Sequence, residues 1–247
     1  MYRVYEHRLN RALVGAPVPR HVGVILDGNR RWARAAGESD VSLGHQRGAD
    51  KITELLGWCG AAGVEVVTLW LLSTDNLSRP PAELASLLEI IESTVRGLAA
   101  SGRWRLNLVG ALDLLPAATV ADLKEAVESA TGTGLLVNVA VGYGGRREIA
   151  DAVRSLLIEN ASRGASIEEV AGWLEVDDIT EHLYTRGQPD PDLLIRTSGE
   201  QRLSGFLLWQ SAHSEFYFCD AYWPDFRRID FLRARRAYAA RQRRFGG

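Results

Sequence analysis

Residues 21–32 read HVGVILDGNRRW. Val22 to Leu26 form an apolar run of strand character that stops on Asp27, Gly28, Asn29, Arg30, Arg31 and Trp32. An Asp-Gly dipeptide is enough to make a turn. The amide, the two arginines and the indole that follow are not needed for one. A strand that is apolar at successive positions is covered on both faces, as in a parallel sheet with helices on either side. In such sheets ligands bind beyond the carboxyl ends of the strands. The residues that end each strand are therefore the informative ones.

The same grammar recurs along the chain. Apolar runs at 22–26, 65–72, 104–109, 135–141, 193–196 and 206–209 predict six strands. Between them the spacing turns helical. Ile52, Leu55, Leu56 and Cys59, closed by Gly63, predict one helix; Leu84, Leu87, Leu88, Ile91, Val95 and Leu98, opened by Pro80-Pro81, predict another. Alternating elements without a long linker or an internal repeat predict one α/β domain, with a mostly parallel six-stranded sheet flanked by helices. Residues 1–19 form an amphipathic helix and lead-in, and residues 20–247 the domain proper. Tyr2, Tyr5, Leu9, Ala12 and Leu13 share one face of that helix. It is expected to pack on the domain; the alternative is contact with a membrane surface or an amphiphilic substrate.

Composition removes several function classes. A net charge of −2 in 247 residues argues against a general nucleic-acid binder, although residues 233–244 carry six arginines. Cys59 and Cys219 stand apart with no CxxC pattern, so a thiolate metal site or a disulfide framework is not expected, and a cytoplasmic setting is. No apolar run approaches the roughly 18 residues of a membrane span. There is no GxxxxGK[ST] sequence for a P-loop. GYGGRRE (142–148) reads as a tight strand-to-helix turn, and Asp177-Asp178 as a helix cap.

The strand ends carry a consistent chemistry. Asp27 to Arg31 end the first, Ser73, Thr74, Asp75 and Asn76 the second, and Arg196, Thr197, Ser198 and Gly199 the fifth; Arg202 and Ser204 precede the expected sixth and Glu215 follows it. Arginine forks, hydroxyls and glycine amides form a phosphate-binding set. Several arginines converging on one rim repel one another unless an anion is present. A diphosphate is such an anion, and a carboxylate could hold Mg²⁺ against it. Asp27 is the first candidate for that carboxylate and Glu215 the second.

The blocks HVGVILDGNRRWA, GHQRGADK, LLSTDNLSRP, VAVGYGGRREI, PDPDLLIRTSGEQRLSGFLLWQSAHSEFYF and WPDF closely resemble those of the cis-prenyltransferases, the undecaprenyl diphosphate synthase family, over residues 21–226. The resemblance implies a mostly parallel sheet with surrounding helices and an apolar tunnel, a homodimer, and Mg²⁺-dependent condensation of isopentenyl diphosphate with an allylic diphosphate. By position it makes Asp27 the essential carboxylate linked to Mg²⁺, with Glu215 joining it. Gly28, Asn29, Arg30, Arg31, Trp32 and His45 would surround the allylic diphosphate. Ser73, Thr74, Asp75, Asn76, Leu77 and Arg79 form a second block, in which the asparagine is tied to proton removal. Arg196, Arg202, Leu203 and Ser204 would bind isopentenyl diphosphate.

Some positions depart from the family pattern. Val41 stands where an arginine is usual, Leu77 where many relatives have tryptophan, Asp75 for glutamate, and Gly142 for asparagine. The first and third of Val41, Leu77 and Gly142 resemble the short-chain branch. One of Leu71 and Leu72 should point into the tunnel, because side chains alternate on a strand. Leu71 matches a position that is small in long-chain relatives. The expectation is a short Z-prenyl product, (2Z,6E)-farnesyl diphosphate made from geranyl diphosphate. The alternatives are a medium- or long-chain synthase and a non-catalytic partner subunit; the latter would have lost Asp27 and several arginines, which are present here.

Overall fold

The structure, a computed structural model, describes residues 2–38 and 40–242, and of residues 2, 3 and 242 the backbone only. In chain order the elements are α1 (Tyr2–Ala12), β1 (His21–Ile25), α2 (Asn29–Ala35), α3 (Ser42–Ala62), β2 (Val66–Ser73), α4 (Pro81–Ala100), β3 (Arg105–Val109) and α5 (Ala117–Glu128). They continue with β4 (Leu136–Tyr143), α6 (Gly145–Ser162), α7 (Ile167–Trp173), α8 (Val176–Thr180), β5 (Leu193–Arg196), β6 (Glu215–Phe218) and α9 (Arg228–Gln242). The strands lie in the order β3-β4-β2-β1-β5-β6 and every pair is parallel. Successive strands run outward from β1 toward β2 on one side and from β5 toward β6 on the other. The switch point, where a ligand crevice forms in sheets of this kind, is thus between β1 and β5.

The central strands owe their continuous apolar character to burial on both faces. Val22, Val24, Val67, Leu69, Val137 and Val139 are fully enclosed, and α3 and α4 cover one face with Ile52, Leu55, Leu56, Leu87, Leu88, Ile91 and Val95. Gly63 ends α3 in a left-handed conformation (φ 86°), and Pro81 opens α4. The N-terminal helix packs on α9. Leu9 and Leu13 are buried with Leu232, Glu6 pairs with Arg228 at 2.8 Å, and Arg233 lies over the Tyr5 ring.

One expected strand is not a strand. Residues 206–209 form turns, because Ser204 (φ 52°), Gly205 (φ 87°) and Leu207 (φ 46°) are left-handed, which no strand permits. Phe206 and Leu207 are buried in the core instead, Phe206 stacking on Trp70 with centroids 5.1 Å apart, while Leu208 is exposed. The sixth strand is β6, and it runs along the sheet edge with partly exposed side chains. Glu215 therefore begins the last strand rather than following it.

Candidate active site

β1 delivers Asp27 to the switch point and the surrounding backbone fixes it there. The Asp27 carbonyl accepts from Thr197 Oγ1 at 2.6 Å and from the Trp223 amide at 3.0 Å. The carboxylate is left to face arginines. Arg196 Nη2, from the end of β5, donates to Oδ2 at 2.8 Å, and Arg31 Nη2 lies 3.3 Å from Oδ1. Arg31 also donates to Ser198 Oγ (2.6 Å) and pairs with Glu200 (3.2 Å). Arg196 donates to Ser204 Oγ (3.0 Å) and to the Arg202 carbonyl. Burial alone would raise the Asp27 carboxyl, but Arg196, Ser198 and Arg31 outweigh it and hold the pKa below the ordinary value. Asp27 is an anion at neutral pH. Gly28 is left-handed (φ 106°), and a Cβ there would come within 2.8 Å of the Tyr222 ring, so the turn after Asp27 needs glycine.

The opposite wall comes from α2, α3, the 3₁₀ turn after β2, and α4. Glu83 pairs with both Arg79 (3.1 Å) and Arg30 (3.5 Å). Ser73 Oγ caps the turn by accepting from the Asn76 amide at 3.2 Å. Gly48 lets α3 cross close to α2, since a Cβ there would lie 2.4 Å from Asn29 Oδ1. Burial, then Arg79, lowers the His45 pKa to about 4, so its imidazole is neutral at physiological pH. Asn29 Oδ1, Arg30 Nε, His45 Nε2 and Arg196 Nε are enclosed without a hydrogen-bond partner, and all four residues line one cavity of about 450 Å³. Enclosed polar atoms are costly when unpaired, and a cluster of them around one space marks room for a polar ligand.

The sign of that ligand follows from the charges. Arg30, Arg31, Arg79, Arg196 and Arg202 share only Asp27, Glu83 and Glu200, so two positive charges remain uncompensated among these groups. Arg34 and Asp75 also line the cavity and offset each other in the count. Beyond the charged rim the cavity turns apolar, with Leu71, Leu87, Ile90 and Ile91 along its wall. Leu71 is the extra residue of a β-bulge, skipped between the Trp70–Ala140 and Leu72–Val141 pairings, whereas Leu72 is fully buried in the core. Of the two leucines, Leu71 faces the cavity.

Asp27, Gly28, Asn29, Arg30, Arg31, His45, Ser73, Asp75, Asn76, Arg79, Arg196, Ser204 and Leu71 are brought to this cavity. Trp32 is half-buried but off its lining, Thr74 packs against Gly144, and Leu77 and Leu203 pack on the core clusters. Arg202 lies on the exposed rim, tied to Glu200. Glu215 does not join Asp27 within one chain. It starts β6 level with Leu193, while Asp27 lies beyond Ile25, which pairs with Arg196 and through it with Phe218. Three strand residues separate Glu215 from the level of Ile25, about 10 Å at the usual rise, Asp27 lies further on, and Glu215 pairs with Arg241 instead. Glu83, Glu200 and Arg34 are further members of the site that the strand-end pattern does not single out. Glu83 lies four residues after Arg79 and Arg34 one turn after Arg30, spacings that could have flagged both.

The arrangement is that of an α/β protein holding an anionic head at a parallel-sheet switch point with an apolar chain behind it. The family model described as "Putative undecaprenyl diphosphate synthase" matches residues 25–246, and the chain belongs to that family. It is 70% identical to (2Z,6E)-farnesyl diphosphate synthase of Thermobifida fusca, over 100% of this chain and 97% of that protein. It is 58% identical to (2Z,6E)-farnesyl diphosphate synthase of Mycolicibacterium smegmatis, over 99% and 95%. Lavandulyl diphosphate synthase from Lavandula x intermedia, solved with dimethylallyl diphosphate, superposes with a TM-score of 0.81 at 33% identity, covering 90% of this chain and 95% of that one.

Proposed function

We propose that the chain is a short-chain cis-prenyltransferase that condenses isopentenyl diphosphate with geranyl diphosphate to give (2Z,6E)-farnesyl diphosphate. The observation that carries this reading is the direct passage from a rim with surplus positive charge into an apolar cavity bounded by Leu71. The names of the relatives from Thermobifida and Mycolicibacterium point the same way.

The allylic diphosphate lies against Asn29, Arg30, Arg31, His45 and Arg79, and isopentenyl diphosphate against Arg196, Arg202 and Ser204. As the allylic C1–O bond breaks, its electron pair leaves with the diphosphate, and the arginine donors stabilise that charge where it develops. The alkene of isopentenyl diphosphate then bonds to C1, and loss of a proton from its C2 closes the step. Asn76 is a poor base; it orients the second substrate, and a diphosphate oxygen takes the proton. The apolar wall keeps water from the cation.

Asp27 is the residue that would hold Mg²⁺. No group of three acidic, histidine or cysteine side chains converges among the described residues, which suits an ion held by one carboxylate plus substrate phosphates. When bound, the ion supplies positive charge to the departing diphosphate. A homodimer and a cytoplasmic setting complete the proposal; among the described residues no helix is long and apolar enough to cross a membrane.

The test is product analysis with labelled isopentenyl diphosphate and geranyl, dimethylallyl and (E,E)-farnesyl primers. A C15 product from geranyl diphosphate is expected. Leu71→Ala should lengthen it, because Leu71 occupies volume that a further isoprene unit needs. C50 or C55 chains from the unmodified protein would overturn the short-chain reading, and unchanged length in the variant would clear Leu71 of the stop.

A further inference from the structure

A second cavity, of about 340 Å³, lies between α1, α3 and α9. Trp58, Phe231 and Leu232 give it an apolar lining, and Asn10, Arg228 and Arg235 are its polar groups. The two arginines differ. Arg228 is neutralised by Glu6 of α1 at 2.8 Å. Arg235 is only 6% exposed, its Nε is enclosed without an acceptor, and it makes no ion pair among the described residues. Burial lowers its pKa and no carboxylate there acts in the other direction.

A guanidinium cannot shed its charge at neutral pH, and an enclosed charge without a counter-charge is costly. Where such a group lines a void, an anion supplies what the chain does not. The rest of the lining adds the second requirement, since an indole, a phenyl ring and a leucine favour a hydrocarbon. We infer that the α1/α3/α9 cavity is a binding site for a small anionic amphiphile, with a carboxylate or phosphate head on Arg235 and a short hydrocarbon chain against Trp58, Phe231 and Leu232.

The site is separate from the substrate cavity. His45, Gly48, Ala49 and Ile52 of α3 line the first cavity, and Trp58, Ala61 and Ala62, later on the same helix, line the second. A ligand here leaves the substrates' place free. Asn10 belongs to α1, so occupancy also ties that helix to the domain.

The test uses the full chain labelled with 5-fluorotryptophan. Trp58→Phe assigns the Trp58 fluorine signal, and saturating inorganic diphosphate fills the first cavity. Octyl phosphate, octanoate, octanol and inorganic phosphate are titrated separately. The expected result is a saturable shift of the Trp58 signal with octyl phosphate or octanoate. Arg235→Leu should weaken that binding about tenfold or more, as loss of a charge-assisted contact does, with kcat/KM within about twofold of the parent. Octanol should bind as weakly to the parent as the anions do to the variant. If Arg235→Leu fails to fold, Arg235→Gln keeps the length without the charge and should show the same loss. No shift of the Trp58 signal at millimolar ligand, equal affinity in parent and variant, equal affinity for octanol, or equally tight binding of inorganic phosphate alone would each overturn the inference.

Discussion

Two polar clusters sit on the same sheet and have opposite characters. One is a ladder across its interior. Asn107 of β3 donates to Asn138 of β4 (2.9 Å), Asn138 donates to Thr68 of β2 (2.9 Å) and to Gln188 (2.6 Å), and Thr68 Oγ1 lies 2.8 Å from Nε2 of His21 at the start of β1. His21 Nδ1 faces the Pro189 carbonyl at 2.7 Å; a carbonyl only accepts, so the proton is on Nδ1 and Thr68 donates to Nε2. No side-chain atom of this ladder is left enclosed without a partner. The other cluster, at the β1/β5 ends, is charged, has a positive surplus, and leaves four enclosed atoms unpaired. His21 and His45 show the contrast in one residue type. Burial lowers both to a pKa of about 4. Both ring nitrogens of His21 are engaged, whereas His45 Nε2 has no partner. Satisfaction marks a cluster that holds the fold, and incompleteness one that awaits a ligand.

Asp27→Ala should break the charged cluster with the largest effect. Turnover is expected to fall on the order of a thousandfold or more, about 4 kcal/mol of barrier, with the fold retained and the thermal midpoint lowered because the buried Arg196 loses its counter-charge. Steady-state kinetics beside a melting curve checks both; a large loss of stability with activity retained would reverse the roles given to the two clusters.

Acid distinguishes the histidines. Each binds its proton more readily in the unfolded chain than in the native one. Between an unfolded value near 6.5 and a folded value of about 4, the unfolded state therefore gains protons and stability falls as pH falls. For His21 the full loss is about 3 kcal/mol, and it levels off below the folded value. Denaturant unfolding at pH 7, 6, 5 and 4.5 should show this fall. Inorganic diphosphate should raise the pKa of His45 and leave that of His21 unchanged, which an NMR titration of the ring protons would show. Equal responses would erase the distinction.

Asn138→Leu should cost about 1–3 kcal/mol, because Gln188 and Asn107 lose a buried partner, while kcat/KM stays within about twofold. A kinetic defect without destabilisation would make the ladder part of the site. The smallest effect expected is from removing residues 241–247. Arg241 ties α9 to Glu215 and to the Phe216 carbonyl (3.3 Å) on the edge strand. The remaining basic residues of the tail, Arg243 and Arg244, lie outside the described residues. The expected outcome is a several-fold rise in the Michaelis constant for isopentenyl diphosphate; a change in melting alone would assign the truncated segment to support of the edge strand.

The sequence by itself determined the layer architecture and most of the rim. Doubly covered strands must be apolar at successive positions, and helices must repeat near 3.6, so each element signs itself within a few residues. Strand ends in a parallel sheet share one edge, which is why the sequence places Asp27 and Arg196 together although they are 169 residues apart. The tertiary structure alone decided what depends on distant neighbours. The run at 206–209 has strand composition, but left-handed residues take it out of the sheet and set Phe206 against Trp70. The bulge in β2, set by its pairing with β4, selects Leu71 over Leu72 for the cavity. Glu215 shares a family block with the site, yet the register of β6 puts it at the other end of the sheet. Arg235 is one of a run of arginines in the sequence, and only the packing of α1 and α3 around α9 encloses it without a counter-charge. Periodicity is local and survives in the sequence; strand register, burial and charge pairing belong to the assembled chain.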